Sequence, residues 1–112
     1  MKAQSASETM LVEDGVVQLA FDLSGSKAAY LIISKPQDGN RHEFFGADHY
    51  VEVKDQLHGR YGGLSGLAVL NDRALTVQLT DDVPEVGREI IITTAQPMSE
   101  QVLQYLRGLV RS

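Results

Sequence analysis

Three histidines are the first residues to test for chemistry, because imidazole can ligate a metal or move a proton near neutral pH. His42, His49 and His58 lie in the middle of the chain, with Glu43, Asp48 and Asp55 close by in sequence. Their spacings match no zinc pattern, and Asp48 and His49 are adjacent on an alternating stretch, where neighbouring side chains face oppositely. Ordinary exposed or half-buried histidines fit better than a metal centre. Nucleophiles are equally sparse. There is no cysteine, which leaves Ser65 and Ser99 as candidates. Gly63-Leu64-Ser65-Gly66 falls one residue short of a nucleophile elbow and sits in a hairpin pattern. Tyr61-Gly62-Gly63 with Gly66 is followed by neither Lys-Ser/Thr nor a helix, so it is no phosphate loop. A tight corner, in which glycine permits positive φ and close backbone approach, explains it better. No catalytic, cofactor-binding or metal-binding residue is expected.

The elements around these residues belong to one domain. At 112 residues the chain can bury one core. Its 43% hydrophobic and 22% charged residues are ordinary for a soluble globular protein. No apolar run approaches the ~20 residues that cross a bilayer, and the first ten residues hold no apolar signal core. The absence of cysteine fits a reducing cytoplasm. The formal net charge is −5 and the ten Lys and Arg are scattered, so neither a nucleic acid nor a membrane is expected as partner.

Residues 1–7 are small and polar and read as a flexible tail; 8–112 read as the folded domain. Glu8 to Leu23 is a hairpin about Asp14-Gly15, the favoured two-residue type I′ turn. That turn pairs Glu13 with Val16, Val12 with Val17 and Met10 with Leu19, which also aligns the apolar side chains. Ala28 to Ser34 is apolar on both faces and reads as a central strand. Lys35 to Ala47 reads as a loop in which one Phe of the Phe44-Phe45 pair is expected to pin the segment to the core. Asp48 to Gln56 alternates, with Val51 and Val53 on one side and Tyr50, Glu52 and Lys54 on the other. Leu57 to Gly63 reads as a turn of the chain. Leu64 to Leu70 and Arg73 to Thr80 form a second hairpin, in which a three-residue loop pairs Val69 with Leu75 and Leu67 with Val77. Thr80 to Arg88 reads as a loop, and the β-branched run Glu89 to Thr94 as a buried strand. Ser99 is the expected N-cap of a helix whose stripe is Val102, Leu103, Leu106, Leu109 and Val110, with Glu100 and Arg107 suited to its dipole. The expected class is α+β: a mostly antiparallel β-sheet of six or seven strands with the C-terminal helix packed on one face.

Asp48-His49-Tyr50, then Gln56, then Tyr61-Gly62-Gly63, and then a hairpin ending in Leu75-Thr76-Val77-Gln78-Leu79 is a distinctive order of elements. It resembles the immunity protein 10 family of bacterial polymorphic-toxin and contact-dependent competition systems. That family has an aspartate-x-tyrosine strand, a tyrosine-glycine-glycine corner and a leucine-rich hairpin. The resemblance runs from Asp48 to the end of the chain. It implies a non-enzymatic protein that binds and neutralises a cognate toxin, usually the product of a neighbouring gene. In this setting Asp48, Tyr50, Gln56, Tyr61, Gly62 and Gly63 read as structural family residues.

Charge clustering suggests where a toxin would dock. Asp81, Asp82, Glu85 and Glu89 lie close in sequence, with Asp72 at a nearby hairpin tip. Such a patch would attract a cationic nuclease. Two other readings compete with this one. A small ligand-binding or enzymatic domain would use the loop cluster His42, Phe44, His49 and His58, and an assembly module would form a homodimer through an open sheet edge.

Overall fold

The computed structural model describes residues 1–36 and 49–110, the side chain of Val110 excepted. His42, Glu43, Phe44, Phe45, Asp48 and Arg111 lie outside the described residues. In chain order the elements are β1 (Lys2–Ser5), β2 (Glu8–Glu13), β3 (Val16–Leu23), β4 (Ala29–Pro36), β5 (Tyr50–Val53), β6 (Asp55–Tyr61), β7 (Leu64–Asn71), β8 (Ala74–Val83), β9 (Gly87–Thr94) and α1 (Glu100–Val110). The class is α+β, but among the described residues nine strands form two sheets where the sequence suggested one of six or seven. One sheet has the order β1-β9-β8-β7, the other β2-β3-β4-β5-β6.

Both sheets follow from alternation. In β3 every second residue, Val17, Leu19, Phe21 and Leu23, is buried, and these meet Leu31, Ile33, Val51 and Val53. The facing sheet contributes Leu75, Val77, Leu79, Ile90 and Ile92 to the same core. A period of two puts each strand's large apolar residues on one side, so two such faces bury each other. The register about Asp14-Gly15 is the expected one, with both turn residues at positive φ. The three-residue loop of the second hairpin also holds, pairing Val69 with Leu75 and Leu67 with Val77. The apolar third strand lies at the centre of its sheet.

Three segments depart from expectation. Lys2–Ser5, taken for a tail, pairs parallel to β9, with Ala3 opposite Ile92 and Ser5 opposite Thr94. Ala3 and Ser5 are buried, which small side chains allow where the chain crosses between sheets. Leu57 to Gly63, taken for a turn, is mostly β6; Lys54 at φ 73° makes the real turn, and Gln56 to His58 bulge out of register. The supposed loop 80–88 is shorter, because β8 runs on to Val83 and pairs it with Gly87.

The helix spans the gap between the sheets instead of covering one face. Ser99 caps it: its Oγ accepts the Val102 N–H at 3.2 Å and its carbonyl the Leu103 N–H at 3.0 Å. Val102, Leu103, Tyr105 and Leu106 enter the core, and α1 packs beside β7. On the opposite sheet the buried Tyr105 hydroxyl lies 3.0 Å from the Val17 carbonyl and 3.1 Å from that of Ile33. One phenolic proton is thus shared between β3 and β4, and burial raises the Tyr105 pKa. The Lys35 ammonium sits 5.6 Å from the same ring, within cation–π range.

Candidate functional site

The Tyr61-Gly62-Gly63 corner carries the chain from one sheet to the other, from edge strand β6 to edge strand β7. Gly62 takes φ 70°, and its N–H donates to the His49 carbonyl at 3.0 Å. A Cβ on Gly63 would come within 2.9 Å of the Val51 Cβ, so only glycine fits. Thr80 completes the corner, donating its N–H to the Gly63 carbonyl and its hydroxyl to that of Gly62. The Leu64 N–H donates to His49 Nε2 at 3.1 Å. His49 and both glycines are therefore joined in backbone architecture, as the corner reading expects.

The two tyrosines of the motif are brought together. Tyr50 and Tyr61 are direct cross-strand partners with ring centroids 5.0 Å apart. Tyr50 donates its hydroxyl to Glu52 Oε1 at 2.9 Å, and Tyr30 donates to Glu52 Oε2 at 2.5 Å. The Tyr50 ring lies across Gly59, which faces Glu52 on the edge strand; a Cβ there would overlap the phenol, with its ring carbon at 2.8 Å. Partial burial, then the hydrogen bond to Glu52, pushes the Tyr30 and Tyr50 phenols up to about 12. Both stay protonated donors across the physiological range, so the carboxylate is held in one orientation.

This cluster belongs to a larger face. Residues directly opposite in an antiparallel ladder share a side of the sheet. One row across the outer side of the five-stranded sheet is therefore Leu11, Gln18, Ser34, Tyr50 and Tyr61, and the next is Thr9, Ala20, Ile32, Glu52 and Gly59. Glu13 flanks the first row and Asp22, opposite Tyr30, flanks the second. Hydrogen bonds from Ser24 lower the Asp22 pKa and keep it ionised. Among the described residues this strand face carries Glu13, Asp22 and Glu52 and no Lys, Arg or His. Tyr30 and Glu52 are 22 residues apart, so no local motif announces them; the signal was alternation, which set Tyr50 and Glu52 opposite Val51 and Val53.

The acidic set chosen from sequence does not converge. Asp72 is at the β7–β8 tip, where its carbonyl accepts the Met98 N–H. Asp81 and Asp82 are near the other end of β8, on the order of 25 Å away at ~3.3 Å per residue. Cations share that end: Arg60 bridges Asp81 at 2.5 Å, Lys27 lies 3.8 Å from Glu85, and Lys54 and Arg88 donate to the carbonyls of Pro84 and Thr80. Glu89 stands opposite Gln78, midway between the ends. The set is dispersed and mixed in sign, not a patch.

Of the expected loop cluster only His49 and His58 lie among the described residues, and they occupy different places. His49 is at the corner, whereas His58 sits on the β6 bulge with Nδ1 2.7 Å from Asp55 Oδ1. Gln56 is exposed on the same bulge. Among the described residues no three His, Cys, Asp or Glu side chains are placed to hold a metal ion. Ser65 donates to the Leu79 carbonyl at 3.2 Å. A cavity of about 20 Å³ lies between the sheets, lined by Val51, Val53, His58, Arg60 and Asp81 among others, which is room for one water. Among the described residues no helix is long and apolar enough to cross a membrane.

No family model, curated protein or solved structure matches the chain.

Proposed function

We propose that this chain is an immunity protein that binds a cognate bacterial toxin in the cytoplasm and neutralises it by stoichiometric occlusion, without catalysis. The resemblance of Asp48-His49-Tyr50 and Tyr61-Gly62-Gly63 to the immunity protein 10 family is the starting point. The observation that carries the reading is the outer face of the five-stranded sheet, where three tyrosines surround one fixed carboxylate and no described residue is cationic. Tyrosine supplies large contact area at low entropic cost and is enriched where binding energy concentrates. Glu52, held by two phenols, offers its remaining lone pairs to a lysine or arginine of the toxin, with the Tyr50 and Tyr61 rings positioned for cation–π contact.

The scale is adequate. Five strands at about 4.8 Å spacing make a face roughly 20 Å wide, and the eight-residue β3 and β4 make it roughly 25 Å long at its centre, on the order of 500 Å² and so the greater part of one side of a standard interface. Occlusion requires no moving part, only a rigid face laid over the toxin's working surface. Purified protein titrated with the product of the neighbouring gene should form a one-to-one complex and abolish toxicity on co-expression. No complex at micromolar concentration would contradict the reading.

A further inference from the structure

Among the described residues the two sheets have four edge strands, and three are guarded. β1 is four residues long, β7 is covered by α1, and β6 is interrupted by the bulge at Gln56 to His58. Short, covered or bulged edges are the usual defences against pairing with another chain. Among the described residues β2 has none of them. It runs six residues in unbroken register with β3, and it exposes Leu11 (49%) and Val12 (52%) on opposite faces.

The free backbone groups can be assigned. The two-residue turn makes Glu13 and Val16 a doubly hydrogen-bonded pair, and the Asp22 N–H donates to the Ser7 carbonyl. Odd-numbered residues of β2 therefore bond to β3, and the N–H and C=O of Met10 and Val12 point to the open edge. A second β2 running antiparallel about a two-fold at Leu11 would place Met10 opposite Val12 of the second copy and Leu11 opposite its own counterpart. Those are hydrogen-bonded and non-hydrogen-bonded pairs respectively, as the free backbone groups require. All three central positions then match apolar with apolar, and Thr9 faces Glu13. Shifting the axis to Met10 would set Glu8 against Val12 and Leu11 against Thr9, wasting the match.

We infer that the chain self-associates into a two-fold dimer through β2, joining two five-stranded sheets edge to edge with Leu11 on the axis. The interface is isologous and closes on itself, so it makes dimers and not filaments. One strand per copy is small for an interface, which makes the dimer a weak one. Glu8 would face Asp14 of the second copy at each end, so association should strengthen with rising salt. The dimer also sets two tyrosine–carboxylate faces side by side on one continuous sheet.

The absence of cysteine gives a clean test. In Leu11→Cys the two thiols would meet across a non-hydrogen-bonded pair with Cα atoms about 4.5 Å apart, within disulfide reach. In Thr9→Cys, on the same face, the two sulfurs would be offset by four residues, roughly 13 Å, and out of reach. Under a mild oxidant that accepts the two electrons, Leu11→Cys should form covalent dimer about tenfold faster or more than Thr9→Cys. In sedimentation, wild-type protein should rise with concentration from 12.3 kDa toward twice that mass, whereas Leu11→Lys, altered at an exposed position, should keep its fold by circular dichroism and stay at 12.3 kDa. Equal cross-linking at Thr9, faster cross-linking in Met10→Cys, or wild-type protein that remains at the monomer mass would each overturn the inference.

Discussion

On the outer side of the four-stranded sheet, Lys2, Ile91, Thr76 and Ala68 form one row, and Glu89, Gln78 and Gly66 form the next. On the outer side of the five-stranded sheet the rows hold Tyr50, Tyr61, Ile32 and Glu52, with Tyr30 beside them. The inner sides of the two sheets are alike, made mostly of Leu, Ile, Val and Phe. Folding needs only those inner sides, so the contrast outside concerns what each sheet presents to a partner. Short, mixed side chains keep an open sheet soluble. Aromatic rings about a fixed carboxylate add little that solubility requires, and they resemble the centre of a binding interface.

If that difference is functional, charge reversal should separate the two faces most sharply. Glu52→Lys should weaken toxin binding about 100-fold or more, since it sets like charges against each other at a contact centre. Thr76→Lys, on the other sheet, should leave affinity within about twofold. Calorimetric titration reads both.

A paired glycine experiment sharpens the comparison through stability. Gly59→Ala must displace the Tyr50 phenol from Glu52 and from the Tyr61 ring, and should cost about 1–3 kcal/mol in denaturant unfolding. Gly66→Ala brings a Cβ within 2.6 Å of Gln78 Oε1, the movable end of an exposed side chain, and should stay within about 0.5 kcal/mol. Equal costs would mean that the tyrosine cluster is loosely held.

Alkaline titration gives a smaller effect. The Tyr30 and Tyr50 phenols sit at about 12, above the ~10 of an unfolded tyrosine, so the native state holds these protons more tightly. Their contribution to stability is complete below pH 10 and is lost as pH rises toward 12. Besides the buried Tyr105, tyrosinate absorbance should therefore develop late for these two phenols. In Glu52→Gln those two should ionise earlier but remain above an ordinary tyrosine, because burial is the larger cause.

Local features were legible in the sequence, and long-range pairings were not. Asp14-Gly15 and the loop after Leu70 set both hairpin registers, because turn type and alternation act over a few residues. Ser99 marked the helix start for the same reason. The parallel pairing of Lys2–Ser5 with β9 joins opposite ends of the chain, and KAQS has no large apolar residue to announce it. The division into two sheets was hidden in Tyr61-Gly62-Gly63, since a corner between strands reads the same whether or not the sheet changes. Acidic neighbours in sequence misled, because an extended ten-residue β8 holds Asp72 and Asp82 apart and folding brings Arg60 and Lys27 among the carboxylates.

The central claim, that the five-stranded sheet presents the working face, is tested most directly by calorimetric titration of the neighbouring gene's product into wild-type, Glu52→Lys and Thr76→Lys protein. The account predicts one-to-one binding by the wild type and by Thr76→Lys, and binding weaker by about 100-fold or more by a folded Glu52→Lys. Undiminished binding by Glu52→Lys would contradict it.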